Sequence, residues 1–288
     1  MRDQTPNPFF GQITSGALST PTVARAQLLR PFPQFLNVTA AQSTWGASSY
    51  HSGQAKLERR FAKGFGLLAT YTFSKLLDDS TGAWAGENVS GAAFQDLNNL
   101  RAEKSVSSLD TTHRMSVGGV WELPFGKGKL VALSGAPAAL AGGWQFNGIW
   151  TWASGNVLGL TATNTTFSQG GGQRPDWNGR DPSLNTRNVD RWFDVSAFQQ
   201  PQPYQFGNAP RTIPGLRSDG AANLDFSAVK NNRVADRVNL QLRFEWFNFT
   251  NRPRFDLPNT TIGTPGVGIV TAQANRPRTL QVALKMIF

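Results

Sequence analysis

The stretch TLQVALKMIF, residues 279–288, alternates between apolar and mostly polar side chains. Successive side chains of a β-strand point to opposite faces of its sheet. The stretch therefore predicts a strand with one apolar and one mostly polar face. Such a strand suits the core of a soluble sandwich or the wall of a membrane barrel. The residues of the apolar face are Leu280, Val282, Leu284, Met286 and Phe288.

The preceding strand-like segment, RVNLQLRFEWFNF at residues 237–249, shows the same alternation with larger side chains. Phe244 and Trp246 share a face with Val238, Leu240 and Leu242. In a barrel, the opposite face would point into the lumen. Arg243 and Glu245, two positions apart on that face, could instead form a structural ion pair. The predicted lumen-facing residues are Asn239, Gln241, Arg243 and Glu245.

Five further segments alternate in the same way and bring the number of predicted strands to seven. They cover residues 49–61, 65–75, 110–123, 144–152 and 223–230. Their tryptophans share faces with Leu, Val and Phe rather than with charges, which favours a lipid-facing or interfacial position over a soluble core. The aromatic residues predicted for that lipid face are Trp121, Trp144, Trp150, Trp152, Phe244 and Trp246.

The connections alternate between short and long. Short turns are predicted at 62–64 and 231–236, whereas loops at 78–109, 156–221 and 250–277 are long. Short turns at one end and long loops at the other are typical of outer-membrane barrels. The connection at 124–142 is long for its side, and its small apolar residues suggest a short helix or packed turn. Residues 1–46 predict an irregular loop region with one short strand near 35–40, and residues 47–288 predict barrel strands and loops.

Composition agrees with an all-β membrane protein. Charged residues make up 16% of the chain, against roughly 25% in ordinary soluble domains, and aromatics make up 11%. No apolar run reaches the roughly 18 residues of a membrane-spanning helix. A Gly-rich secreted β protein would have a similar composition. The net charge of +10 is spread through loops and polar faces, which favours contact with lipid headgroups over nucleic acid.

The motifs of catalysis and cofactor binding do not appear. The chain has no cysteine, and Ser154 follows an alanine rather than the pattern of a hydrolase elbow. His51 and His113 lie far apart with no acidic motif beside them, and the aspartates of 176–194 lack the spacing of a calcium loop. We therefore predict no catalytic, cofactor-binding or metal-ligating residues, and no enzyme activity.

The first residues, MRDQTPNPFFGQITSG, lack the apolar region of a secretory signal. Seven strands are also too few, and odd in number, for an ordinary single-chain bacterial barrel. We therefore expect this segment to be the C-terminal part of a longer protein and part of a larger barrel.

Four segments resemble the C-terminal barrel of TonB-dependent receptors, with the Oar-like transporters as the most similar subgroup. They are residues 48–79 (SSYHSGQAKLERRFAKGFGLLATYTFSKLLDD), 114–129 (RMSVGGVWELPFGKGK), 143–155 (GWQFNGIWTWASG) and 244–259 (FEWFNFTNRPRFDLPN). The resemblance implies a barrel of about 22 strands around a plug. It also implies that the strand ending in Phe288 carries the signal for the barrel assembly machinery.

The resemblance implies a receptor or transporter in the outer membrane of a Gram-negative-type bacterium. Its partners would be outer-membrane lipid, the barrel assembly machinery, an unidentified ligand, and the TonB complex through a plug domain that we do not find in these residues. Ligand contacts would lie in the three long loops. The alternatives are a passive porin-like, structural or adhesive barrel without TonB coupling, and a soluble adhesive β-sandwich.

Overall fold

The computed structural model describes residues 3–36, 38, 46–79, 94–96, 98–126, 128–163, 172–235 and 238–288. The chain divides into two compact units, Met1–Gly46 and Ala47–Phe288. Among the described residues, no helix is both long and apolar enough to cross a bilayer.

The first unit contains more regular structure than its composition predicts. Strands Gln4–Pro6 and Thr22–Ala24 pair antiparallel, and a one-turn helix, Arg25–Leu28, follows. The buried amide of Asn7 donates to the carbonyls of Leu18 and Thr20 and so closes the intervening loop. The strand expected near 35–40 is not formed at its first two positions, and positions 37, 39 and 40 lie outside the described residues.

Seven long strands form the wall of the second unit, and each pairs antiparallel with the next along the chain. The seven predicted strands are therefore confirmed, and the sheet is an up-and-down meander. The strands are β1 (Ser48–Ala62), β2 (Phe65–Asp78), β3 (His113–Glu122), β4 (Trp144–Ala153), β5 (Ala221–Ala235), β6 (Val238–Phe247) and β7 (Thr279–Ile287).

Several strand boundaries differ from the prediction, and the partners of polar side chains explain two of them. The predicted turn at 231–236 is wrong for residues 231–235, because β5 continues to Ala235, and position 236 lies outside the described residues. Asn231 pairs with Gln241, and the Gln241 amide donates to the Asn231 side chain at 2.9 Å. Strand β3 begins at His113 rather than at 110, because buried Asp110 accepts from the backbone N–H of Leu76 at 2.7 Å. The predicted start at 237 lies outside the described residues.

The connection between β1 and β2 is a two-residue turn. Lys63 and Gly64 have φ angles of 53° and 79°. Positive φ at both central residues matches the right-handed twist of the flanking strands. A Cβ on Gly64 would lie 3.3 Å from the carbonyl oxygen of Glu122, so glycine suits this position sterically as well. We call this end of the sheet the turn end, and the opposite end the loop end.

The connection between β3 and β4 also lies at the turn end and contains the helix Gly135–Ala141, here called the connection helix. At the loop end, the long connections contain short regular elements. These elements are the 3-10 turns Leu100–Glu103 and Val195–Ala197, and the strands Ser105–Val106, Thr161–Ala162, Asp176–Trp177, Phe198–Gln199 and Thr261–Ile262.

Candidate functional site

The pairing register brings the large apolar side chains of all seven strands onto one face of the sheet, because residues paired across strands share a face. Phe244 of β6 lies between Ala228 of β5 and Val282 of β7. Trp150 of β4 lies between Val117 of β3 and Leu224 of β5. We call this the apolar face.

The predicted lipid-face aromatics all lie on the apolar face. Trp121, Trp144, Phe244 and Trp246 belong to one network of ring contacts, which Phe146 and Phe226 complete at centroid separations of 5.6–6.4 Å. Nearer the loop end, the ring of Trp152 lies 6.1 Å from that of His113. The His113 ring in turn contacts Tyr71 and Phe73.

The apolar face is not free of charge, contrary to the expectation that its tryptophans avoid charges. Lys230 pairs with Trp144, and its ammonium lies 5.2 Å from the Trp144 ring centroid. Arg59 lies 5.2 Å over the ring of Phe65 near the turn end. Both cations lie against aromatic rings, an arrangement that offsets part of the cost of placing charge on an apolar surface.

The predicted lumen-facing residues all lie on the opposite face, here called the polar face. Arg243 and Glu245 form an ion pair at 3.0 Å, and Gln241 donates to Asn231. Asn239 is half-buried on the same face and pairs with Arg233. The Nε of Arg243 is buried and has no hydrogen-bond partner among the described residues.

The proposed assembly-signal residues lie together on β7, at one edge of the sheet. Leu280, Val282, Leu284 and Met286 are 54–70% exposed on the apolar face, and Phe288 follows the strand at 94% exposure. Strand β7 is hydrogen-bonded on one side only, to β6, within the described sheet.

The loops at the loop end pack into a common structure, which we call the loop cap. It comprises the described parts of residues 94–112, 154–220 and 248–278. Its core joins residues from two different loops around Phe193 and Leu158, which are fully buried. The parallel pairing of Thr161–Ala162 with Thr261–Ile262 joins the same two loops. The core residues are Leu158, Leu160, Trp192, Phe193, Ala197, Phe198, Ala209, Ile213, Leu216, Ile262 and Val270.

Three arginines connect residues 172–220 to the loop that follows β2. Arg174 Nη2 lies 2.5 Å from Glu103 Oε1, and both side chains are buried. Arg211 pairs with Asp78, where β2 ends, and its Nε donates to the Glu103 carbonyl at 3.0 Å. The hydrogen bonds within these pairs offset part of the cost of removing charge from water, although Glu103 Oε2 and Arg174 Nε are buried without a hydrogen-bond partner among the described residues.

The third arginine, Arg217, binds the start of β3. Its Nη2 donates to Asp110 Oδ2 at 2.8 Å and to Thr112 Oγ1 at 2.7 Å. Its Nη1 donates to the Gly155 carbonyl at 2.8 Å, which joins the start of the loop after β4 to the same group. One guanidinium therefore fixes two neighbouring strand ends.

Burial lowers the pKa of the Arg174 guanidinium, and the adjacent Glu103 carboxylate opposes that shift. Arginine nevertheless stays protonated in proteins, so Arg174 keeps its positive charge. The side chain of Gln95 supports the pair. Its Oε1 accepts from the Arg174 backbone N–H at 2.8 Å, and its Nε2 donates to the Gly207 carbonyl at 2.8 Å. A Cβ on Gly207 would lie 2.0 Å from the Arg174 carbonyl oxygen, so only glycine fits there.

The loop cap and its three arginine pairs were not predicted from the sequence. The apolar residues at 157–160 and 192–193 were the available signal, because such residues are unusual in a solvated loop. Among the described residues, no group of three or more His, Cys, Asp or Glu side chains is placed to hold a metal ion.

Residues 3–281 match a family model described as an outer membrane beta barrel domain. No curated protein and no solved structure matches the chain. The match places the chain in the bacterial outer membrane and in contact with its lipid, and excludes the soluble sandwich. Domains of this type are typically non-enzymatic. By this match over nearly its whole length, the chain belongs to the outer membrane β-barrel domain family.

Proposed function

We propose that this chain supplies part of the wall and the loop cap of an outer-membrane receptor that takes up or transfers a ligand with TonB coupling. The loop cap is the observation that carries the proposal. Its loops have a buried core and three arginine–carboxylate pairs, so they are ordered before a ligand arrives. Ordering loops in advance removes an entropic cost from binding.

The polar face supports a lumen with specific contacts. In a barrel whose apolar face meets lipid, the opposite face lines the interior. There, the guanidinium of Arg243 is only partly satisfied: Nη2 binds Glu245, whereas Nε is buried without a partner among the described residues. The Arg243 side chain as a whole is 40% exposed beside the Glu245 carboxylate, so its guanidinium is a suitable contact for a polar ligand or for a plug.

TonB coupling rests on the resemblance of residues 48–79, 114–129, 143–155 and 244–259 to the barrels of TonB-dependent receptors. The plug that would contact TonB has no counterpart that we identify in these residues. We also propose that the chain has no enzyme activity and that its β7 residues are recognised by the barrel assembly machinery.

Uptake can be tested without knowing the ligand. Cells with and without this chain, each with and without an active TonB complex, would be grown on a complex extract, and depletion of compounds from the medium would be measured. We expect at least one compound whose depletion requires both the chain and TonB. Depletion that requires the chain alone would favour the passive porin-like alternative. If no compound depends on the chain, the structural or adhesive alternative is favoured.

A matched pair of variants tests the polar face in the same assay. Arg243→Gln removes the guanidinium from the partly satisfied site, whereas Arg233→Gln removes one near the turn end of the same face. We expect reduced chain-dependent depletion for the first variant only. Equal effects of the two variants would mean that Arg243 contributes charge and not a specific contact.

A further inference from the structure

The connection between β3 and β4 exposes apolar side chains at the turn end. Residues 130–143, LVALSGAPAALAGG, contain no charged residue. Leu130 is 90% exposed and Leu140, on the connection helix, is 75% exposed. A soluble turn of this size would normally carry charged or hydrogen-bonding residues at such positions.

An apolar groove lies between this connection and the sheet. It has a volume of about 600 Å³. Phe125 and Ala141 line it from the connection, and Trp144, Phe146 and Phe244 line it from the apolar face. The groove is therefore continuous with the surface that contacts lipid in a barrel of this family.

Lys230 fixes the connection helix over the apolar face. Its Nζ donates to the carbonyls of Leu140, at 3.1 Å, and Gly142, at 2.9 Å, at the C-terminal end of the helix. A lysine in this position satisfies carbonyls that lack partners within the helix. The Trp144 indole adds a second bond, donating to the Leu140 carbonyl at 2.9 Å.

Cations flank this uncharged segment on the side of the apolar face. Lys230 lies beneath the helix and Arg59 lies near the turn end of the apolar face, whereas Lys129 pairs with Glu122 of the polar face at 2.6 Å. Lysine and arginine at the boundary of an apolar surface place their charge at the level of lipid phosphates. The charge pattern is therefore complementary to an anionic phospholipid layer.

We infer that residues 128–143 of the connection between β3 and β4 form an in-plane membrane anchor. Leu130 and Leu140 enter the leaflet at the turn end, and acyl chains of anionic phospholipid fill the groove. Two observations select lipid as the occupant: the groove continues the apolar face, and the flanking cations match phosphate headgroups. The inference rests on the placement of the apolar face in lipid and is independent of transport and TonB coupling.

The absence of cysteine in the chain allows site-specific spin labelling. Leu130→Cys, Leu140→Cys and Ala141→Cys would each carry a nitroxide in the full chain, in vesicles of phosphatidylethanolamine and phosphatidylglycerol. Collisions of the label with oxygen, which partitions into lipid, would be compared with collisions with a water-soluble nickel chelate. Leu284→Cys, at 70% exposure on the apolar face, is the lipid control, and Phe206→Cys, at 48% exposure on the loop cap, is the aqueous control.

We expect the ratio of oxygen to nickel collisions at all three connection sites to match that at Leu284 and to exceed that at Phe206 several-fold. If these sites match Phe206 while Leu284 is in lipid, the anchor is wrong and the barrel placement stands. If the label at position 284 also collides freely with the nickel chelate, the placement of the apolar face in lipid is wrong, and so is the anchor. Low collision rates with both reagents would indicate a protein partner and would overturn the assignment of lipid.

Discussion

At the scale of single residues, the buried pair of Arg174 and Glu103 makes the loop cap sensitive to loss of one charge. Arg174→Ala leaves the Glu103 carboxylate buried without its partner, and we expect the cap to lose about 3–5 kcal/mol. Proteolysis of the loops in intact outer membranes, titrated with denaturant, would measure the loss.

Arg191→Ala is the matched control for this prediction. Arg191 pairs with Asp194 at 3.4 Å, and its side chain is 64% exposed. Exposed pairs contribute about 0–1 kcal/mol because water and salt screen them. Equal protease sensitivity of the two variants would contradict a structural role for the buried pair.

The carboxylate of Asp194 has a specific acid response. The Ser196 hydroxyl and backbone N–H donate to it, and with Arg191 nearby they lower its pKa below the ordinary 3.8. Because the pKa is lower in the folded state, these bonds stabilise the fold above the ordinary pKa and are lost as pH falls through the folded value. Since Asp194 is accessible to solvent, its contribution to overall stability is small.

The sign of this shift can be checked by carboxyl NMR titration of the full chain in detergent. Ser196→Ala removes the largest contribution, so we expect the pKa of Asp194 to rise toward 3.8. Ser183→Ala is the control, because the largest cause of the lowered pKa of Asp181 is the backbone N–H of Ser183, which survives the substitution. The pKa of Asp181 should therefore rise less than that of Asp194 does in Ser196→Ala, and the pKa of Asp194 should not change. A rise at Asp194 in the control variant would mean that the loop rearranges as a whole.

At the scale of elements, the turn at Lys63 and Gly64 sets the register of β1 and β2. Both residues have positive φ, which Asn-Gly adopts more readily than Lys-Gly. Lys63→Asn should therefore raise the yield of assembled protein. Gly64→Val should lower it, through strain at φ 79° and contact with the Glu122 carbonyl. Heat-modifiable migration on gels would measure both. Equal yields for the two variants would show that the neighbouring strands alone fix the register.

The wall was predictable from the sequence because alternation is a local property. Each of the seven strands alternates between apolar and polar residues. Once the pairing register is set, this alternation brings the apolar residues of all the strands onto one face. The boundaries were less predictable. Asn231 and Asn232 have the composition of a turn. They nevertheless extend β5, because they pair with Gln241 and Leu240 of β6.

The loop cap was not predictable from local pattern. Its core joins Leu158 to Ile262, and its ion pairs join Arg174 to Glu103 and Arg217 to Asp110. These contacts connect residues about 70 or more positions apart, with no periodicity to reveal them. Single arginines in polar loops give no sign of burial, so only the three-dimensional arrangement identifies them.

At the scale of the whole molecule, the wall has two edges that run in the same direction. Strands β1 and β7 both begin at the loop end, and each is hydrogen-bonded to a single neighbour within the described sheet. Antiparallel closure of one edge directly onto the other is therefore impossible. Closing the wall with antiparallel pairs takes an odd number of additional strands.

Unpaired backbone groups are strongly unfavourable in lipid, so both edges must be paired in the membrane. We expect the backbone amides of β1 and β7 to exchange with deuterium as slowly in native outer membranes as those of β4, which has neighbours on both sides. After extraction and separation of this chain in detergent, exchange at β1 and β7 should accelerate while β4 stays protected. Rapid exchange confined to the two edges in the native membrane would contradict a closed wall. Equal protection of all three strands in detergent would mean that these seven strands close by themselves, through a parallel seam between β1 and β7.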